Sequence, residues 1–346
     1  MNIRANTIGV EGYGVYDVDL KTGSQTCSSG FPEFIVTPGF VDIHIHGAFG
    51  IDFMSATTDE MNSLCSRLSG VGYEGFLATT VTASATDLSS AFRRAPANPM
   101  ILGFHLEGPF ISSEYPGAQP EGAISLPEDN AAWREVLGDP RLRIVTLAPE
   151  IKGADSLIRS LVSAGKIVSM GHTAATFAQA TSGKEAGARH TTHTYNAMRG
   201  LHHREAGTVG FALLDQDIFT EIIYDRVHVC REAAELLLRR PEDKVIAVSD
   251  SSAATGLPEG TEISMWGQEC VVGAKSVRLK KNSALAGSAT TLLDAFRNLA
   301  EDFGREKAIR LCSANPRKAL GLAVPHRVLL QFDLALNLLE IHSISR

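Results

Sequence analysis

Nothing in the 346 residues approaches the run of ~18 apolar positions that a bilayer-spanning helix needs. Blocks of Lys and Arg are also missing, and the formal net charge is −7, so neither nucleic acid nor a membrane surface is an expected partner. The five cysteines are odd in number, scattered (Cys27, Cys65, Cys230, Cys270, Cys312) and never paired as Cys-x-x-Cys, which excludes a disulfide framework and a thiolate zinc site. No Gly-rich phosphate loop follows a first strand, which argues against a nucleotide-dependent enzyme, and no internal repeat suggests a solenoid. The opening MNIRANTIGVEGYGV lacks the apolar core and small-residue cleavage site of a secretory leader, so the expected location is cytoplasmic. A small polar metabolite is the ligand class that survives.

What is present is an ordinary globular balance, 44% hydrophobic and 21% charged. From Phe40 onward, short apolar, β-rich runs alternate with amphipathic stretches, the rhythm of βα units around a parallel sheet. The strand candidates are FVDIHIHG, EGFLATTV, MILGFHLEG, RIVTLAPE, KIVSMGH, HTTHTYN, TEIIYDRVHV and KVIAVSD; their number is the one that closes a (β/α)8 barrel of the TIM type. Helical patterns such as TDEMNSLCSRLSGVG and DSLIRSLVSAG lie between them, several ending at Gly where a C-cap belongs. Residues 1–39 and roughly 256–284 read as strand and turn and are assigned to a small accessory β layer. The division is then 1–39 for the N-terminal part of that layer, 40–320 for the barrel with a strand-rich insertion near 256–284, and 321–346 for a C-terminal tail that adds a shortened contribution.

The chemistry concentrates at strand ends, where barrel enzymes build their sites. His44 and His46 close the first strand, Glu107 the third, His172 the fifth, His193 the sixth, His228 the seventh and Asp250 the eighth. With a period of two, His44 and His46 share a face about 7 Å apart along the strand, near enough to reach one ion. Imidazole and carboxylate are ligands that Zn²⁺ and Fe²⁺ accept, and Glu107, His172 and His193 alone meet the three that a catalytic site needs. Each has a bland alternative: Glu107 as a loop cap, His172 bonded to a helix start, His193 as an exposed residue of a polar segment. Their coincidence at strand ends is what those alternatives do not explain. Asp250 is either the N-cap of the next turn or the carboxylate that takes a proton from activated water and passes it to a leaving amine. His228 is either a satisfied core histidine or the group that polarises a carbonyl. Arg204, in HHREAG, is either a solvated arginine or a fork for phosphate oxygens.

These residues in this order resemble the amidohydrolase superfamily, and the segments HLEGPFIS, SMGHTAAT, THTYNAMRG with HHREAGTVG, SDSSAATGLPEG, LAGSATTLLDAFRNL and SANPRKALGL resemble, within it, the N-acetylglucosamine-6-phosphate deacetylases. The similarity runs from about Val36 to Leu322. By resemblance, Glu107, His172 and His193 hold a divalent metal, Zn²⁺ or Fe²⁺. Asp250 is the acid/base, and His44 with His46 offers a place for a second ion. The same resemblance gives the sugar to Ala118, Gln119, Asn196 and Ala197, the acetamide region to His228, and the closing loop to Leu285, Ala286, Gly287 and Ser288. It makes Arg204 the phosphate contact of the neighbouring active site in a homodimer.

The chain departs from that pattern in three places. Gly117, Ala118, Gln119 stands where the family usually has Gly-Ala-His, REAG replaces Arg-Glu-Pro-Gly, and the tail PHRVLLQFDLALNLLEIHSISR lacks the usual Gly- and Asp-rich strand pair. The implied activity is deacetylation of N-acetylglucosamine-6-phosphate by metal-activated water. The alternatives are a related amide such as N-acetylgalactosamine-6-phosphate and, from another class, a sugar-binding barrel without catalysis.

Overall fold

A computed structural model describes residues 1–9, 12–322 and 326–345. Residues 10–11 of the expected N-terminal layer, and 323–325 and 346 of the expected tail, lie outside the described residues. Eight parallel strands follow one another in chain order around a barrel: Phe40–Ile45, Tyr73–Thr79, Ile101–Glu107, Leu142–Leu147, Ile167–Met170, His190–Thr191, Phe219–Ile223 and Val245–Val248. The first and eighth are laced at their C-terminal ends, where Asp250 N–H donates to the His44 carbonyl at 3.0 Å and His46 N–H to that of Ser251 at 2.8 Å. Apolar side chains of five strands, among them Val41, Leu77, Ile144, Ile223 and Val248, pack together with Leu320.

The helices alternate with the strands as the periodicity predicts, and their starts are chemically marked. Thr57 and Glu60 form a capping box ahead of Thr58–Ser69, Thr176 and Gln179 another ahead of Phe177–Ala186, and Thr291 with Asp294 a third ahead of Leu292–Phe303. The segment REKAIRLCSANPRKALG passes through a π turn at Arg310–Ala314 between the helices Arg305–Ile309 and Asn315–Ala319.

Two strands end earlier than their apolar pattern suggests. The sixth is only His190–Thr191, because the chain then turns through positive φ at His193, Tyr195 and Ala197. The seventh stops at Ile223, and His228 therefore lies in the loop beyond it rather than on the strand: the Asp225 carboxylate accepts the Val227 and His228 amides, each at 2.8 Å, and turns the chain.

The accessory β material forms two sheets rather than one layer. The terminal sheet joins Asn2–Gly9, Gly12–Asp19, Gln25–Cys27 and Phe34–Pro38 to the hairpin Val328–Phe332 and Leu338–Ser343, which pairs antiparallel with Phe34–Pro38. The tail thus supplies a strand pair after all, without the glycines expected of it. The insertion is a separate four-stranded antiparallel sheet, Glu262–Met265, Gln268–Val272, Ser276–Leu279 and Leu285–Ser288. It reaches past the expected boundary because LAGS is its last strand, and it has its own core around Met265, Cys270, Val277 and Ala286.

A triangle of rings ties the terminal sheet to the barrel: Phe40 to Phe296 at 5.2 Å, Phe296 to Phe332 at 5.1 Å and Phe40 to Phe332 at 6.5 Å. All three rings are fully buried. Phe332→Ala is expected to cost about 3–5 kcal/mol in urea unfolding while leaving metal binding intact; a loss below about 1 kcal/mol would show that the hairpin is dispensable.

Candidate active site and metal centre

The donors that the sequence places far apart meet at the mouth of the barrel. Glu107 Oε1 lies 3.2 Å from His172 Nε2 and 3.0 Å from His193 Nε2, and these two nitrogens are 3.1 Å apart. His44 Nε2 is 3.3 Å from the same oxygen. The second oxygen, Glu107 Oε2, faces His46 Nε2 at 3.3 Å, and Asp250 Oδ1 is 3.3 Å from His46 and 3.5 Å from His44. Two overlapping sets of possible ligands result, one of Glu107 with His172, His193 and His44, the other of His44, His46 and Asp250.

The far side of three rings fixes what the near side offers. His172 Nδ1 sits 3.0 Å from the Tyr115 carbonyl, His193 Nδ1 3.2 Å from that of Asn196, and His44 Nδ1 3.1 Å from the Glu221 carboxylate. Each partner can only accept, so in the neutral ring Nδ1 carries the hydrogen and Nε2 is a bare lone pair. Three lone pairs and a carboxylate then converge with no donor among them. Only protons or a cation reconcile that arrangement, and this donor set of imidazole and carboxylate suits a divalent ion with nitrogen and oxygen ligands.

Without a cation, protons collect there. Burial works to lower His46, but Asp250 and Glu107 push it up to about 9. Burial opposes charge on His44 as well, yet Glu107, Glu221 and Asp250 raise it well above the ordinary value. Glu107 and Asp250 are held down by the surrounding imidazoles against their own burial.

Left-handed backbone aims several of these side chains. His172, His193, Ala197 and Asp250 have φ of 47°, 29°, 48° and 47°, a region that non-glycine residues seldom adopt and that clusters at functional sites. Hydrogen bonds hold the kinks: Ser112 N–H donates to the His172 carbonyl at 2.8 Å and Ser288 N–H to that of Asp250 at 2.8 Å.

A cavity of about 230 Å³ opens over the cluster, and Gly117, Ala118, Asn196, Ala197, Leu285 and Gly287 stand around it. Gln119 and His228 also reach its wall. Ala286 and Ser288 do not, because side chains alternate along Leu285–Ser288: Ala286 turns into the insertion core, and Ser288 Oγ donates to the Ser249 carbonyl at 2.6 Å. Arg204 lies exposed in its loop, outside this cavity, and no Lys or Arg is among the described residues that line it. A larger cleft of about 690 Å³ shares the Trp266 wall but holds none of the converging donors.

Four residues near the site carry no motif in the sequence. Glu221 pins His44 from behind, with its other oxygen lacking a hydrogen-bond partner among the described residues. Asp225 Oδ2 lies 2.6 Å from His228 Nδ1, which leaves Nε2 as the ring atom open to a ligand. Asp42, raised to about 6 by burial, accepts the His44 and Ser249 amides under the site. Trp266, from the turn of the insertion sheet, packs edge-on against His46 at 5.3 Å and donates to Asp52 at 2.8 Å.

The chain matches the model of the Amidohydrolase family over residues 35–324. It is 37% identical over 303 residues to the N-acetylglucosamine-6-phosphate deacetylase of Bacillus subtilis (strain 168), covering 83% of this chain and 76% of that one. The N-acetylgalactosamine-6-phosphate deacetylase of Escherichia coli O157:H7 is 33% identical over 298 residues, covering 83% and 78%. Among solved structures, a mutant N-acetyl-D-glucosamine-6-phosphate deacetylase from Mycobacterium smegmatis in complex with N-acetyl-D-glucosamine-6-phosphate superposes with a TM-score of 0.90 at 29% identity, over 99% of this chain and 97% of that one.

Proton linkage gives a test that needs no substrate. His46 is raised from 6.5 to about 9, so its favourable contribution to the metal-free fold is complete below 6.5 and is lost as pH rises through about 9. A divalent cation held by His46 would have to displace that proton. Its binding is expected to release protons at pH 7–8, with apparent affinity rising up to pH ~9, as read by calorimetry in buffers of different ionisation enthalpy. Affinity independent of pH across that range would rule out proton-for-metal exchange.

Proposed function

Since the chain belongs to the amidohydrolase family and, within it, to the N-acetylglucosamine-6-phosphate deacetylases, we propose that it hydrolyses the acetamide of N-acetylglucosamine-6-phosphate to glucosamine-6-phosphate and acetate. The observation that carries this is the convergence of imidazole Nε2 atoms and Glu107 beside the Asp250 carboxylate, at the floor of a sugar-sized cavity.

Glu107, His172 and His193 are the residues we assign to a divalent ion, Zn²⁺ or Fe²⁺. His44, His46 and Asp250 would hold a second ion, so the site would take one ion or two. Such an ion, when bound, acidifies a water molecule and polarises the amide carbonyl. Asp250 accepts the proton of the attacking water and returns it to the amide nitrogen as the C–N bond breaks, so that acetic acid and a neutral amine form; the acid then gives its proton to solvent or to the amine and leaves as acetate. His228, oriented by Asp225, meets the acetamide region. Ala118, Asn196, Ala197, Leu285 and Gly287 enclose the sugar.

A sugar phosphate also needs a cation, and the absence of Lys and Arg from the described lining supports a supply from outside the subunit. We assign it to Arg204 of a second copy in a homodimer, whose guanidinium fork matches phosphate oxygens. No helix among the described residues is long and apolar enough to cross a membrane. A cytoplasmic location, with a small sugar phosphate as partner rather than nucleic acid or membrane, belongs to the same proposal. The likeness to the E. coli enzyme keeps N-acetylgalactosamine-6-phosphate as a second substrate to be tried.

Acetate release from both epimers, with and without chelator, is the direct test. Chelator-sensitive turnover favouring the gluco epimer is expected, and Asp250→Asn should lower kcat by ~10⁴-fold or more. A variant as active as the parent would remove Asp250 from the proton transfer. The dimer assignment has its own check. Arg204→Ala should raise KM for the phosphorylated sugar, and mixing it with Asp250→Asn should restore activity, because one site of the mixed dimer then has both an intact Asp250 and an intact arginine from its neighbour. An arginine acting within its own subunit gives no restoration.

A further inference from the structure

The side chain of Gln119 is turned away from the role its position suggests. Its amide nitrogen donates to Glu107 Oε2 at 2.5 Å, and its amide oxygen accepts the backbone N–H of Thr82 at 2.7 Å. The residue is buried, with 6% exposure, so water does not compete for either bond. Carbonyl oxygen and NH₂ are told apart here by their partners, since a carboxylate only accepts and a backbone amide only donates. One end of the side chain is therefore anchored to the backbone beyond the second barrel strand, and the other grips a carboxylate at the end of the third.

Glu107 is the residue whose two oxygens face different partners. Oε1 is directed at His172, His193 and His44, Oε2 at His46. Without a hydrogen bond from the side, the carboxylate could rotate about its last bond and exchange those roles, since terminal sp³–sp² torsions are broad. A donor on Oε2, held by an independent anchor, removes that freedom.

From this geometry we infer that Gln119 is a positioning residue for the metal centre: it locks the Glu107 carboxylate so that one oxygen serves the His172/His193 pair and the other faces His46, rather than reading a sugar hydroxyl. The inference rests on the assignment of Glu107 as a metal ligand. Outer partners of ligating carboxylates set metal affinity, and their loss typically costs 10–100-fold. Thr82, which supplies the anchor, also lies against Gly108 immediately after Glu107, so the support and the carboxylate share one rigid corner.

The test separates the two roles by their readouts. Purified wild-type protein, Gln119→Met and Gln119→Leu are stripped of metal and titrated with Zn²⁺ in competition with a chromogenic chelator, without any substrate. Methionine keeps the bulk and removes both bonds. Leucine is slightly smaller, also removes both bonds and adds no charge beside Glu107, so it carries the test even where the methionine variant does not fold. Both variants are expected to bind Zn²⁺ 10–100-fold more weakly. At saturating metal, KM for N-acetylglucosamine-6-phosphate should stay within about twofold of wild type. Unchanged Zn²⁺ affinity with a KM raised about tenfold would overturn the inference and return Gln119 to the sugar. Because affinity is read without substrate, failure of the wild type to release acetate from this sugar would count against the proposed activity and leave the role of Gln119 to be judged on metal binding alone.

Discussion

Everything at the mouth of this barrel follows from one incompatibility: lone pairs of the same character are held within about 3 Å of one another by bonds on their far sides. The Tyr115 and Asn196 carbonyls and the Glu221 carboxylate fix the rings, and the fixed rings leave Glu107 facing nitrogens that have nothing to give. A protein tolerates such an arrangement only if a positive charge completes it, since a buried acceptor without a partner is costly. The carboxylates of Glu107, Glu221 and Asp250, all buried, make the same demand through their charge. Cation affinity is thus a property of the folded barrel and not of any single motif.

Much of this was legible in the sequence because it rests on pattern. The eight strands show as apolar runs of the right length, and the reactive residues sit where those runs stop, since a parallel strand must leave the barrel there. Glu107, His172, His193, His44, His46 and Asp250 are brought together as the spacing implies. What escaped is what depends on rotation or on distant contact. HTTHTYN and TEIIYDRVHV continue their polar and apolar alternation past the true strand ends, because the kinks at His193 and Arg226 are conformational and carry no glycine to announce them. Glu221 looks like any charged residue in an apolar strand until its inward face is known.

Gln119 shows the limit most clearly. Position relative to a familiar pattern assigns it to the substrate, and it does line the cavity, yet both ends of its amide are already used by Thr82 and Glu107. In the same way, LAGS reads as one loop, but strand pairing divides it into two residues that look outward to the cavity and two that do not. The tail lacked the expected glycines and still formed its hairpin, because Leu330 and Phe332 pack into the main core on one face while Leu329 joins the core of the terminal sheet on the other, beside Phe34–Pro38.

The terminal sheet has a consequence for biosynthesis. Its strand Val328–Phe332 lies hydrogen-bonded to Phe34–Pro38, and the Phe332 ring closes on Phe40 and Phe296. A growing chain therefore carries Phe34–Pro38 with one edge uncovered until Val328–Phe332 has been made. Contacts of such sequence separation slow folding and leave a pairing edge exposed meanwhile, which is the interval in which a chaperone would shield it.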